Sequence, residues 1–185
     1  MTVMFDDRVR PHLAHDCEHM AALLKSVDDL PPLLTSFYQL GATRNGWLVH
    51  GSLPGEAPAD RERLRRAGLD VDRLETTGQL SVLELDLELS PEDWVRPWSE
   101  LLDERLGGGF DALWFARFPI GPTDDEVSDV LPFEEAWTRC FAGRRVFTLC
   151  PYIVGGLAKH VRTATVDRVG TVHDRVIDME VAAPA

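Results

Sequence analysis

The stretch Arg144 to Ile177 constrains the fold of this chain more than any other. Val146, Phe147, Thr148, Leu149 and Cys150 form a short apolar run rich in β-branched and aromatic side chains, the pattern of a strand buried on both faces. Pro151 removes a backbone donor and is expected to mark the exit of that strand. Gly155-Gly156 reads as a turn, and Leu157, Val161 and Ala164 follow at helical spacing. Val172 to Val181 then reads as a second strand with His173 at its entrance. Two strands joined through a helix pair in parallel, because only a long crossover returns the chain to the same end of the sheet.

The same alternation runs through the rest of the chain. Arg8 to Cys17 is expected to hold a short first strand. Glu18 to Leu40 shows helical spacing, interrupted at Pro31-Pro32, where a second helix starts. Trp47 to Gly51 reads as a strand, Asp60 to Ala67 as a charged surface helix, and Gly78 to Leu89 as a strand with an extended exit. Ser90-Pro91-Glu92-Asp93 is a helix start, with a serine cap, proline at the first helical position and acids in the first turn. That helix carries Trp94, Val95, Trp98, Leu101, Leu102 and Leu106 at core spacing. Ala112 to Phe118 is the fourth strand, Pro119 to Asp129 an acidic, turn-rich loop, and Pro132 to Phe141 a helix. Strands alternating with helices predict an α/β fold, a three-layer sandwich with a mainly parallel central sheet covered on both faces. A length of 185 residues suits one core, so residues 1–185 are read as a single domain.

Charge narrows the functional classes. A net charge of −12, with basic residues scattered among acidic ones, opposes nucleic-acid binding, which depends on neutralising phosphates. No apolar run is long enough to span a membrane, and the first residues lack the apolar segment of a secretory signal, so a cytoplasmic protein is expected. Three cysteines, Cys17, Cys140 and Cys150, imply no disulfide framework. His12, His15, Cys17 and His19 offer four possible ligands for zinc or haem within a short segment. A solvated helix start explains them as well, and no metal or other cofactor is expected.

Several short motifs, taken in order, resemble the MEDS domain family, the sensory domains of methanogen and methylotroph regulators. They are His15-Asp16-Cys17; Gly41, then Gly46-Trp47-Leu48-Val49; Gly78-Gln79-Leu80 with Val82-Leu83; Gly109-Phe110 with Leu113 to Phe115; and Leu149-Cys150-Pro151-Tyr152-Ile153 followed by His173. The resemblance implies a RecA-like fold, yet the phosphate loop of such folds is missing. Gly41 to Gly46 has the two glycines, but Trp47-Leu48 stands where Lys and Ser/Thr should be, so ATP hydrolysis by the usual route is excluded. Two acidic positions of the family are also replaced, by residues at Ala116-Arg117 and by Ile153.

In such folds ligands gather beyond the carboxyl ends of the strands. The resemblance and this placement together give His15, Cys17, Arg117, Cys150, Tyr152 and His173 as the expected ligand-binding residues, with Arg117 favouring an anionic ligand. The expected function is ligand sensing or partner binding without catalysis, in signal transduction or transcriptional regulation. An unknown small molecule is the expected ligand, and a separate protein is expected to carry the output. The alternatives are a small enzyme using Cys150 with His173 or His15, and an interaction protein with a vestigial pocket.

Overall fold

The computed structural model describes residues 18–179 apart from 87 and 122, and shows six parallel strands between two layers of helices. In chain order these are β1 (His19–Leu24), α1 (Leu30–Thr43), β2 (Trp47–Ser52), α2 (Ala57–Arg66), α3 (Val71–Thr76) and β3 (Leu80–Glu84). They continue with α4 (Pro91–Gly107), β4 (Leu113–Arg117), α5 (Asp124–Phe141), β5 (Val146–Ile153), α6 (Lys159–Gly170) and β6 (Arg175–Asp178). The sheet order is β3-β2-β4-β5-β1-β6, and every neighbouring pair is parallel. The expected α/β three-layer sandwich is therefore present. Among the described residues no helix is long and apolar enough to cross a membrane.

Strand alternation assigns each side chain to a layer. Met20, Ala22, Leu48, Trp114, Phe147 and Leu149 face the layer of α1, α2 and α3. Trp47, Val49, Phe115 and Val146 face α4 and α5, where Trp94, Trp98, Ala136 and Trp137 fill the space. Ala21, Leu23, Cys150 and Tyr152 share that second face and pack with Val127 of α5 and Val169 of α6.

The helices and strands depart from expectation at several points. Residues 19–24 form β1 and not a helix, because all six are buried and the five after His19 are apolar without a break, and a short continuous run carries no period to separate strand from helix. The segment Arg8 to Cys17, where a first strand was expected, lies outside the described residues. Helix α5 begins at Asp124, well before Pro132, so part of the expected loop is helical. Thr123 caps it: the hydroxyl accepts from the Glu126 backbone N–H while the Glu126 carboxylate accepts from that of Thr123.

Strand β5 also continues through Pro151 to Ile153. The N–H groups of Thr148 and Val154 reach β1 residues or their neighbours, whereas that of Ile153 points the other way, to Ile120 O. The nitrogen of Pro151 therefore faces the β4 side, where the pairing with β4 has ended at Ala116–Leu149. No ladder bond is lost, which is why proline is tolerated there.

The loop after β5 crosses the end of β1 at very close range. A Cβ on Gly155 would lie 1.7 Å from the carbonyl oxygen of Lys25, and backbone cannot swing aside as a side chain can. Gly155→Ala is expected to destabilise the fold by at least about 1–3 kcal/mol, seen as a lower denaturation midpoint with an unchanged slope.

On the opposite layer, Asp60 of α2 is anchored to the sheet, its carboxylate 3.3 Å from His50 Nε2. Burial alone would raise its pKa, but the His50 imidazole and the neighbouring Arg63 guanidinium outweigh that and lower it to about 2. A carboxylate held below its ordinary value stabilises the folded state above that value. This stabilisation is lost as pH falls from about 4 towards about 2. Asp60→Asn should flatten the stability profile of the protein across that interval, measured by denaturant titration at several pH values.

Candidate functional site

The polar residues of the second sheet face converge beneath α5. His19 opens β1, Cys150 and Tyr152 lie on β5, Arg117 ends β4, and His173 stands just before β6. Glu134 descends onto them from the middle of α5. All six are buried, and the Glu134 carboxylate is the common partner.

Each oxygen of that carboxylate has its own set of contacts. Oε1 accepts from the Arg117 guanidinium through Nε at 2.8 Å and through a second, shorter contact from Nη2, and the Tyr152 hydroxyl lies 3.4 Å away. Oε2 lies 2.8 Å from His19 Nε2, 3.2 Å from Cys150 Sγ and 3.8 Å from His173 Nε2. Cys150 Sγ is also 3.3 Å from His19 Nε2. The imidazole rings of His19 and His173 stack obliquely with centroids 4.2 Å apart.

The far side of each ring is fixed by its surroundings, that of His19 by the Thr138 hydroxyl 2.8 Å from Nδ1. His173 Nδ1 lies 2.8 Å from the Val169 carbonyl oxygen, so it must carry the proton. The backbone of β1 and the His173 loop are tied reciprocally, His19 N–H donating to Asp174 Oδ2 and Asp174 N–H to His19 O, each at 2.8 Å. This pair of bonds sets the two imidazoles side by side.

Electrostatics follow from burial and pairing. Desolvation pushes the Glu134 carboxyl up, but the Arg117 charge and the His19 hydrogen bond more than reverse it and hold the group well below the carboxylate range. Burial first, then the Glu134 charge, pushes the Cys150 thiol up. The Tyr152 phenol is raised for the same reasons. His173 is lowered to about 4, first by burial and then by His19.

Beside this cluster lies a cavity of about 510 Å³ between the sheet and α4–α5. Trp94, Phe115, Phe118, Phe133 and Trp137 wall it, and Arg117, Glu126, Asp129, Glu134 and Thr148 are its polar lining. The expected residues Arg117, Cys150, Tyr152 and His173 are thus brought together. His12, His15 and Cys17 lie outside the described residues, whereas His19 from the same segment enters the cluster. The cluster sits on the face of the sheet under α5, and not beyond the strand ends.

Sequence reasoning missed Glu134 and Thr138. The signal was present: on α5, Val127, Val130, Leu131, Trp137 and Phe141 recur at helical spacing, and Glu134 falls in the centre of that apolar stripe. An acid in such a position must be paired.

A family model described as MEDS, the MEthanogen/methylotroph, DcmR Sensory domain, matches residues 18–174. The chain belongs to the MEDS family. Among curated proteins and solved structures nothing matches. The family is one of sensory domains, and the matched residues span every strand up to the turn before β6. They begin after His15 and Cys17 and include His19, so in this MEDS domain the described N-terminal contribution to the cluster is His19.

The buried ion pair generates a stability prediction. Arg117→Leu leaves the Glu134 charge uncompensated and should cost about 3–5 kcal/mol in urea unfolding. Arg117→Leu combined with Glu134→Leu should cost clearly less than the two single changes added together, since each residue's loss is mostly the stranded charge of the other.

Proposed function

We propose that this MEDS domain senses a small, uncharged and largely apolar molecule held in the cavity beneath α4 and α5, with occupancy read by an output module. The observation that carries this reading is the cavity itself. It has the size of a small-molecule site, aromatic walls, and polar lining in which acids (Glu126, Asp129, Glu134) outnumber the single cation Arg117. The sensory character of the family supports it.

Arg117 was expected to favour an anion, but its surroundings argue for a neutral ligand. Its Nε and Nη2 are engaged by Glu134, and its Nη1 donates to the Phe118 carbonyl at 3.1 Å. The charge is compensated before any ligand arrives, so a carboxylate or phosphate would enter an apolar cavity without a free cation to meet it. Hydrogen bonding to a single hydroxyl or carbonyl group remains open there.

The enzymatic alternative draws less support. A nucleophilic cysteine needs an electropositive setting and an oriented base. Cys150 is 1% exposed, and its thiol is pushed up by burial and by the neighbouring carboxylate. A signalling role also requires that binding be communicated. An output module in a partner protein would serve, and the net charge of −12 favours protein contact over direct contact with DNA.

Trp94 and Trp137 line the cavity, so their emission reports its contents. Titration with a series of small neutral alcohols and ketones, alongside the corresponding carboxylates, should shift tryptophan emission for the neutral members only. Val130→Trp, which fills the cavity from α5, should weaken that binding by about tenfold or more. Preferential binding of the carboxylates, or equal responses in the wild type and the filled variant, would overturn the reading.

A further inference from the structure

We propose that His19, Glu134, Cys150 and His173 form a binding site for one zinc-type divalent cation beside the cavity, which Glu134 also lines. Each contributes one donor atom, and the four atoms lie within 4.8 Å of one another. The site does not depend on the cavity's having an organic occupant.

The first argument is proton bookkeeping. His173 carries its proton on Nδ1, where the Val169 carbonyl accepts it, so the lone pair is on Nε2. His19 Nδ1 lies 2.8 Å from the Thr138 hydroxyl oxygen. That hydroxyl has one hydrogen, directed at the Glu134 or Val172 carbonyl oxygen at 2.9 and 3.0 Å. It therefore accepts from His19 Nδ1, so a neutral His19 has its lone pair on Nε2, 2.8 Å from Glu134 Oε2, where the two acceptors need a shared proton or cation between them. Both lone pairs point at the same place as Glu134 Oε2. His173 Nε2 is fully buried and has no hydrogen-bond partner. The thiol hydrogen of Cys150 can satisfy one of these acceptors and not all of them. A cation at their centre satisfies all.

The second argument is geometric. A tetrahedral zinc with bonds to nitrogen, oxygen and sulfur at their usual lengths has donor–donor edges of about 3.4–3.6 Å. The separations here are 2.8 and 3.8 Å from Glu134 Oε2 to the two imidazoles, 3.2 Å to the thiol, and 3.3 Å between thiol and His19. They straddle the required edge, so small side-chain rotations close the site.

The third argument is the surrounding shell. Both imidazoles donate their second N–H to an oxygen, and the ligating carboxylate is held on its other oxygen by Arg117, as zinc ligands commonly are. The cation with the Cys150 thiolate and the Glu134 carboxylate is neutral, and Arg117 adds one positive charge beside an apolar cavity. Binding releases the thiol proton to solvent and involves no oxidation or reduction.

The competing arrangement is a proton in place of the metal, with His19 as an imidazolium paired to Glu134. Chelator-treated protein titrated with Co²⁺ separates the two. The expected result is one Co²⁺ per chain, with the visible bands of tetrahedral cobalt and a thiolate charge-transfer band, both displaced by Zn²⁺. Cys150→Ser should abolish the charge-transfer band, and His173→Gln should lower the affinity at least tenfold. Cys140→Ser, outside the cluster, should change neither. Thr138→Val, which removes the acceptor for His19 Nδ1 without removing a ligand, should weaken binding by about 10–100-fold while keeping the same bands. Circular dichroism of each variant establishes that it is folded. The proposal is overturned if folded wild-type protein takes up no stoichiometric Co²⁺ and His19 titrates as an imidazolium by NMR. It is equally overturned if the cobalt spectrum survives Cys150→Ser unchanged. Neutral-ligand binding to the cavity, measured on the same samples by tryptophan emission, can persist in either case and so tests the sensory reading separately.

Discussion

A carboxylate in the centre of a folded domain is tolerable only if its surroundings are built for it. Glu134 sets that condition for one whole layer of this protein. Its position on α5 places it over the sheet, Arg117 at the end of β4 neutralises it, and His19, Cys150, Tyr152 and His173 supply its remaining neighbours. Four of the six strands or their flanks thus send a side chain to one helix. Trp94, Trp98, Phe115 and Trp137 pack ring against ring next to it in the same layer.

The two sides of the sheet divide the labour. The layer of α1, α2 and α3 is a continuous apolar core around Trp114, Phe147 and Phe37, tied at its edge by Asp60 and His50. The layer of α4, α5 and α6 holds both the cavity and the polar cluster. Stability in the first layer lets the second depart from close packing. A void of about 510 Å³ is a cost to the fold and an opportunity for a ligand.

Much of the architecture was legible in the chain because its signals are local. Ser90-Pro91 announced α4, and the Ser90 hydroxyl does accept from the Asp93 N–H at 3.2 Å. The run at Val146 to Cys150 identified β5, and the C-terminal motif placed Cys150, Tyr152 and His173 together. The failures share a physical cause. β1 is apolar on both faces and has no period, and the extent of β5 past Pro151 depends on where β4 stops. The role of Glu134 could be read only by treating a single acid on an apolar stripe as a question about its partners. His19 was visible as a possible ligand, but its neighbours lie on β5, α5 and the turn before β6, and sequence order does not place those beside it.

The reciprocal bonds between His19 and Asp174 join residues separated by 155 positions in the chain. Because the cluster needs both ends of that interval, it cannot assemble until the chain up to Asp174 has left the ribosome, whatever portion of the sheet has formed. A truncated product that keeps most of the sheet would lack His173 and leave Glu134 without its full set of neighbours. Completion of the polar cluster is thus a record that synthesis has passed the final turn.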